Sequence, residues 1–311
     1  MKENSVVAKT TPGQREPSTR RPASLQNLDG LDWDIDISGG DRRVGFDLRE
    51  VHRYRDLLWL LVRRDFVAQY RQTILGPLWH LLHPLLTTLM LLVVFGKLAG
   101  IPTDSIEPPV MFYLAGVSLW SYFSAVFTGV TLTFVNNAQL FGKVYFPRII
   151  LPLSVAISQA IRLVIQVILI VALFLFFRMT DQAATPVNWR IMLVPGVFIL
   201  VAGIAIGLGL AVAAITTKYR DIANLTTFSV QLLMYVTPVA YPLSFARSKS
   251  LGWIIEWNPL TAPFEAFRYC LFGSGTLIPE GLAYAVIVFA LSLIAGIVLF
   301  SSAERTFIDT V

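Results

Sequence analysis

Six long apolar runs constrain this chain more than any other feature of its sequence. They fall at 76–98, 110–133, 150–177, 191–216, 223–244 and 280–302. A soluble core needs apolar residues at intervals, whereas about 20 in succession match the hydrocarbon thickness of a bilayer. Only 14% of the 311 residues are charged and 55% are hydrophobic; soluble domains carry about 25% charged residues. Mean hydropathy is +0.64. Inside lipid, a segment must satisfy its own backbone polar groups, so the runs are predicted to be helices. The expected fold class is an all-α membrane protein with six transmembrane helices.

The same residues narrow the chemistry. No GxxxxGK[ST] phosphate loop occurs, so this chain does not bind ATP by that device. Cys270 is the single cysteine, which excludes an internal disulfide and argues against a cysteine-built metal site. The net charge of +5 reads as contact with lipid head groups on the cytoplasmic side, with no nucleic acid partner.

Residues 1–45 are rich in Pro, Ser, Thr, Arg, Gly and Asp without apolar periodicity, and are predicted to be a disordered cytoplasmic tail. Residues 46–73 are predicted to form an amphipathic interface helix. Val51, Tyr54, Leu58 and Leu61 recur at helical spacing, although "LLWLLV" at 57–62 blurs the two faces. The segment lacks the apolar length of a crossing and fits a helix lying in the membrane plane. Residues 74–303 form the six-span domain and 304–311 a short C-terminal end. An even number of spans puts both ends on one side. Lys and Arg crowd around 49–73, 134–149 and 217–222, which makes that side cytoplasmic. The stretch at 238–275, between the fifth and sixth runs, is long, partly apolar and broken by Pro and Gly. It is expected to be a re-entrant outer segment, since broken backbone at membrane depth survives only inside protein or beside water.

Candidate functional residues are few. Arg162 lies twelve residues into the third run, about 18 Å along a helix, where an arginine costs about 2.5–3.5 kcal/mol on insertion scales. Ser158, Arg162 and Gln166 recur every fourth residue, with Gln159 beside them. They make either a hydrogen-bonded seam between helices or the wall of a hydrated conduit. Tyr113, Trp120, Phe123 and Phe127 form an aromatic stripe in the second run. Such a stripe packs against helices or lipid, or stacks on sugar faces so that a glycan slides past. Tyr235 and Tyr241 extend that aromatic character towards the outer mouth. His80 and His83 share a helical face but have no carboxylate or cysteine with them, so polar packing is a better reading than a metal site. Asp104 and Glu107 sit among prolines in the first outer loop and read as a solvated turn, with an enzymatic acidic pair as the competing reading.

Five stretches, taken together, resemble a known family. "LREVHRYRDLLWLLVRRDFVAQYRQTILGPLWHLLHPLL" opens the match, followed in order by "NNAQLFGKVYFPRIILP" (136–152), "TTKYRDIANL" (216–225), "TPVAYPLS" (237–244) and "WNPLTAPFEAFRYCLFG" (257–273). The chain resembles the permease subunits of ABC exporters for bacterial surface polysaccharides, the O-antigen and teichoic acid export family. The resemblance implies a homodimer with two ATP-binding subunits beneath it, which would hold ATP and Mg2+; this chain is expected to bind no cofactor and no metal. It implies an interface helix at 48–72, a coupling loop at Asn136–Arg148 and a "YRD" turn at Tyr219–Asp221. The coupling residues carried over are Arg63, Arg64, Arg71, Gln139, Lys143, Arg148, Arg220 and Asp221. The long tail and Arg162 match no family motif.

The function expected is the permease half of an inner-membrane exporter of lipid-linked polysaccharide, not itself an enzyme. Its competitors are an exporter of teichoic acid or of a small lipid or drug and, from another class, a membrane glycosyltransferase or polymer ligase. The last needs an essential carboxylate, for which Asp104 and Glu107 are the candidates.

Overall fold

The computed structural model describes residues 48–70, 73–137, 146–180, 189–216, 218–219, 221–250 and 252–308. The tail expected at 1–45 lies outside them. Among the described residues all regular structure is helical, and five helices are long and apolar enough to cross a membrane.

The basic segment before the first apolar run forms two helices, α1 (Leu48–Arg53) and α2 (Arg55–Tyr70). The blurred "LLWLLV" run is divided between two environments. Leu61 and Val62 are buried, whereas Trp59 and Leu60 are exposed. Leu61 packs with Phe146, Ile150 and Leu151, backed by Tyr54, Leu57 and Leu58. After α2 the chain turns at Gly76, whose φ of +49° suits a residue without Cβ. A 3-10 turn, Gly76–Leu78, leads into α3 (Trp79–Leu91), which widens into a π-helical end at Leu92–Leu98.

Helix α4 (Pro109–Thr131) is the centre of the bundle. Pro at its first turn lacks an N–H that would have no partner there anyway. Met111, Phe112, Tyr113, Leu114 and Ala115 are fully buried, and α3 and the helices at Ile150–Met179 and Val194–Thr216 pack around it. After the short α5 (Thr133–Asn136) comes α6 (Ile150–Met179), 30 residues long. At 1.5 Å per residue it measures about 45 Å and outreaches a hydrocarbon core of about 30 Å. A 3-10 turn (Trp189–Leu193) opens α7 (Val194–Thr216). Helix α7 packs closely on the last helix, α12 (Pro279–Ile308). Gly207 faces the backbone of Ser292 and Leu293, and Gly296 faces Gly207 O. Small residues allow this approach of two backbones, which a lipid-embedded pair needs for dispersion contact.

The run expected to span at 223–244 is instead a 15-residue helix, α8 (Ile222–Val236). Pro238 explains the early stop. A residue before proline is pushed out of the helical region, and Thr237 is extended at φ −97°, ψ 140°. The remaining segment folds as α9 (Leu243–Arg247), α10 (Gly252–Glu256) and α11 (Thr261–Phe272). Two quoted motifs meet here. Asn258 Nδ2 donates to Thr237 Oγ1 (2.9 Å) and Val236 O (3.2 Å), closing the end of α8. The described residues belong to one compact unit.

Candidate functional site

The polar stripe of α6 faces protein. Ser158 and Gln166 are buried and Arg162 is half-buried. The stripe borders two cavities. The first, about 410 Å³, lies between α3, α4 and α6 and is lined by Trp79, His80, His83, Ser121, Arg162 and Gln166 among others. The second, about 740 Å³, lies between α2, α4 and α6 and reaches Arg64, Asp65, Asn136 and Asn137. Gln159 and Arg162 line both. Arg162 Nη1 donates to Gln159 Oε1 (2.8 Å). Its Nε is buried without a hydrogen-bond partner, as is Ser158 Oγ. Gln166 Nε2 donates to His80 O (3.4 Å), joining α6 to the start of α3. An orphaned guanidinium N–H inside a membrane bundle is costly. Arg162 nevertheless lines a roomy polar cavity, which makes the site a place where water or a polar ligand can enter.

The aromatic stripe is placed differently. Tyr113 (0% exposed), Trp120 (7%) and Phe123 (1%) are covered by the chain itself. Trp120 packs on Phe264 with ring centres 6.4 Å apart, and Phe123 stacks on half-buried Phe127 at 5.9 Å. For a passage to touch Trp120, α4 would have to part from α11. Tyr235 is exposed on α8, and half-buried Tyr241 donates from its hydroxyl to Tyr235 O (2.6 Å).

A charge pair absent from the sequence-derived candidates clamps α11 to α4. Arg268 and Glu265 are each 1% exposed, with Arg268 Nη1 to Glu265 Oε1 at 3.3 Å. Arg268 Nη2 donates to Val239 O (2.8 Å), and its guanidinium lies 3.8 Å from the Phe112 ring centre. Glu265 Oε1 accepts from Leu243 N (3.1 Å). The site needs Gly116, because a Cβ there would stand 2.5 Å from Val239 O and 2.8 Å from Arg268 Nη2. The available signal for the pair was Glu and Arg three apart in "TAPFEAFRYCLF", a helical pair in an aromatic setting. Asp104 adjoins this region and accepts from Ser244 Oγ (2.6 Å), while Glu107 is exposed.

Of the coupling residues, Arg71, Gln139, Lys143 and Arg220 lie outside the described residues. Arg63 and Arg64 are exposed on α2, Asp221 is exposed at the start of α8, and Arg148 is partly buried. Arg64 holds Asp65 (2.8 Å) and donates to Asn137 Oδ1 (3.4 Å), linking α2 to the end of α5. The described residues contain no cluster of three or more His, Cys, Asp or Glu able to hold a metal.

Comparison with known proteins agrees with this architecture. Residues 56–272 match the family model described as ABC-2 type transporter. A Klebsiella pneumoniae protein, O-antigen export system permease protein RfbA, is 25% identical over 255 residues, covering 82% of this chain and 94% of its own length. A Myxococcus xanthus protein of the same name is 27% identical over 265 residues, covering 85% and 98%.

Proposed function

Because the chain belongs to the ABC-2 type transporter family, we propose that it is the permease subunit of an ATP-driven exporter that threads a lipid-linked, O-antigen-like surface polysaccharide across the bacterial inner membrane. The match to O-antigen export permeases over 94% and 98% of their own lengths carries this reading. The geometry supports it: polar side chains and two cavities run along α6 inside the bundle. In the working complex two copies pair and two ATP-binding subunits, holding ATP and Mg2+, sit on the cytoplasmic side. Helix α8 completes six crossings with the help of the residues that follow it, α9 to α11 re-enter from the outer side, and both termini are cytoplasmic. Helix α2 lies at the inner interface, its basic residues against lipid phosphates and the ATP-binding partner.

The test is reconstitution in vesicles with the ATP-binding subunit. Delivery of lipid-linked glycan to the lumen is expected only with both subunits and ATP. Equal delivery by this chain alone would refute the reading. In the same assay Asp104→Ala with Glu107→Ala is expected to transport at near wild-type rate, because Asp104 serves a turn through Ser244. Loss of transport with an intact fold would favour the glycosyltransferase alternative.

A further inference from the structure

We infer that the cavity between α3, α4 and α6 is a phosphate-anion site, with Arg162 as its charged anchor and a lipid-borne phosphate as its ligand chemistry. The inference rests on the export reading and names what part of the cargo this site would hold. Three observations carry it.

First, the cavity is built for an anion. Its lining contains Arg162, His80, His83, Gln159, Gln166 and the hydroxyl residues Ser121 and Ser124, and no carboxylate. Arg162 makes one hydrogen bond, to Gln159 Oε1, and its buried Nε has no partner. A guanidinium is a planar fork suited to phosphate oxygens. Asp65 borders only the second cavity, where Arg64 already engages it at 2.8 Å. Its charge also acts on Arg162, but it contributes no carboxylate to the lining of the first.

Second, the size fits a head group. About 410 Å³ is at the small end of the range for ligand pockets, adequate for one or two phosphates with their waters. A polymer would not fit, so the cavity holds an end of the cargo.

Third, the position suits an amphiphile. Arg162 is twelve residues from the start of a 30-residue helix, which puts it within the half of the bundle that contacts α2. The start of α3 and the turn before it expose apolar side chains, Leu78 at 48% and Trp79 at 49%, and Leu86 follows on α3 at 56%. A hydrocarbon tail can stay in lipid along that face while its phosphate reaches Arg162.

The test uses the full chain in detergent and measures equilibrium binding of farnesyl phosphate, farnesol and inorganic phosphate. The wild-type chain is expected to prefer farnesyl phosphate to farnesol. Arg162→Gln should weaken farnesyl phosphate about tenfold or more, the worth of one charge-assisted contact, and leave farnesol unchanged. Arg162→Lys should bind at an intermediate level. Gln159→Glu sets a carboxylate on Arg162 Nη1 and should abolish the preference without removing a cavity wall, which guards against a folding failure in the first variant. Competition by millimolar inorganic phosphate assigns the anion to a free phosphate, and no competition assigns it to a head group. Wild-type affinity in both Arg162→Gln and Gln159→Glu would overturn the site. Failure of the vesicle transport assay with this binding pattern intact would instead overturn the export reading and leave the anion site standing.

Discussion

Arg268 shows how one side chain can organise a membrane protein's interior. Its guanidinium has three kinds of partner: Glu265, Val239 O and the face of Phe112. Burying two charges costs several kcal/mol per ion in desolvation, which good geometry and added hydrogen bonds offset. Removing one partner leaves the other charge uncompensated, at about 3–5 kcal/mol. Arg268→Ala is therefore expected to lower the thermal midpoint in detergent sharply or to prevent a monodisperse preparation. Glu265→Gln should be milder, because an amide oxygen can still accept from Leu243 N and Arg268. Gly116→Ala should resemble Arg268→Ala, since its Cβ would displace both Val239 O and the guanidinium. Size-exclusion profiles and melting curves of the three variants check this order. A Gly116→Ala chain as stable as wild type would count against the clamp.

Among the helices, α8 departs most from what a lipid-facing element should be. Asn224, Thr227 and Gln231 recur at i, i+3 and i+7 and are all exposed. Beside them stand Leu225, Phe228, Leu232 and Tyr235, exposed by 51–67%. A row of polar side chains facing hydrocarbon is disfavoured, so this face needs water or another protein surface. By contrast, the exposed face of α12 carries Val286, Ile287, Leu291 and Ile294, which suit lipid. In a Cys270→Ala background, Thr227→Cys and Gln231→Cys are expected to react with a charged, membrane-impermeant thiol reagent, and Ile294→Cys is not. The native thiol is buried, so its removal cleans the background. Equal labelling of Gln231→Cys and Ile294→Cys would remove the argument for a wet or protein-covered face.

For the whole molecule, the question the proposed function raises is how motion of an ATP-binding subunit would reach the bundle. Helix α2 is seated on α6 through Leu61, Ile150 and Leu151 and tied to the end of α5 through Arg64 and Asn137. Helix α6 in turn packs on the buried α4. A push on α2 therefore passes through side chains packed at close quarters. Arg63→Glu with Arg64→Glu is expected to reduce recovery of the ATP-binding subunit in co-purification and to uncouple ATP hydrolysis from export. The melting temperature of the chain alone should shift little, because exposed charges contribute about 0–1 kcal/mol. Unchanged export after this double reversal would mean that α2 is an anchor and not a handle.

The primary structure by itself determined that the chain is helical, that it is built for a bilayer, and where most of its long helices begin and end. Uninterrupted apolar length and breaking residues decide those features, and both are local. The helix starts at Ile150 and Pro109 and the end at Thr216 coincide with such boundaries or lie a residue or two from them. The polar stripe at Ser158, Arg162 and Gln166 was equally legible, because its spacing stands out against apolar neighbours. Only the tertiary structure decided what each face meets. It buried Tyr113, Trp120 and Phe123 within the chain's own bundle, with Trp120 against Phe264 of α11, closed α8 at Val236, and set Arg268 against Glu265 beneath Gly116. Those outcomes depend on contacts between residues far apart in the chain, and in a bundle apolar on nearly every side the hydrophobic pattern does not rank one partner face above another. Close packing and the pairing of buried polar groups made that choice.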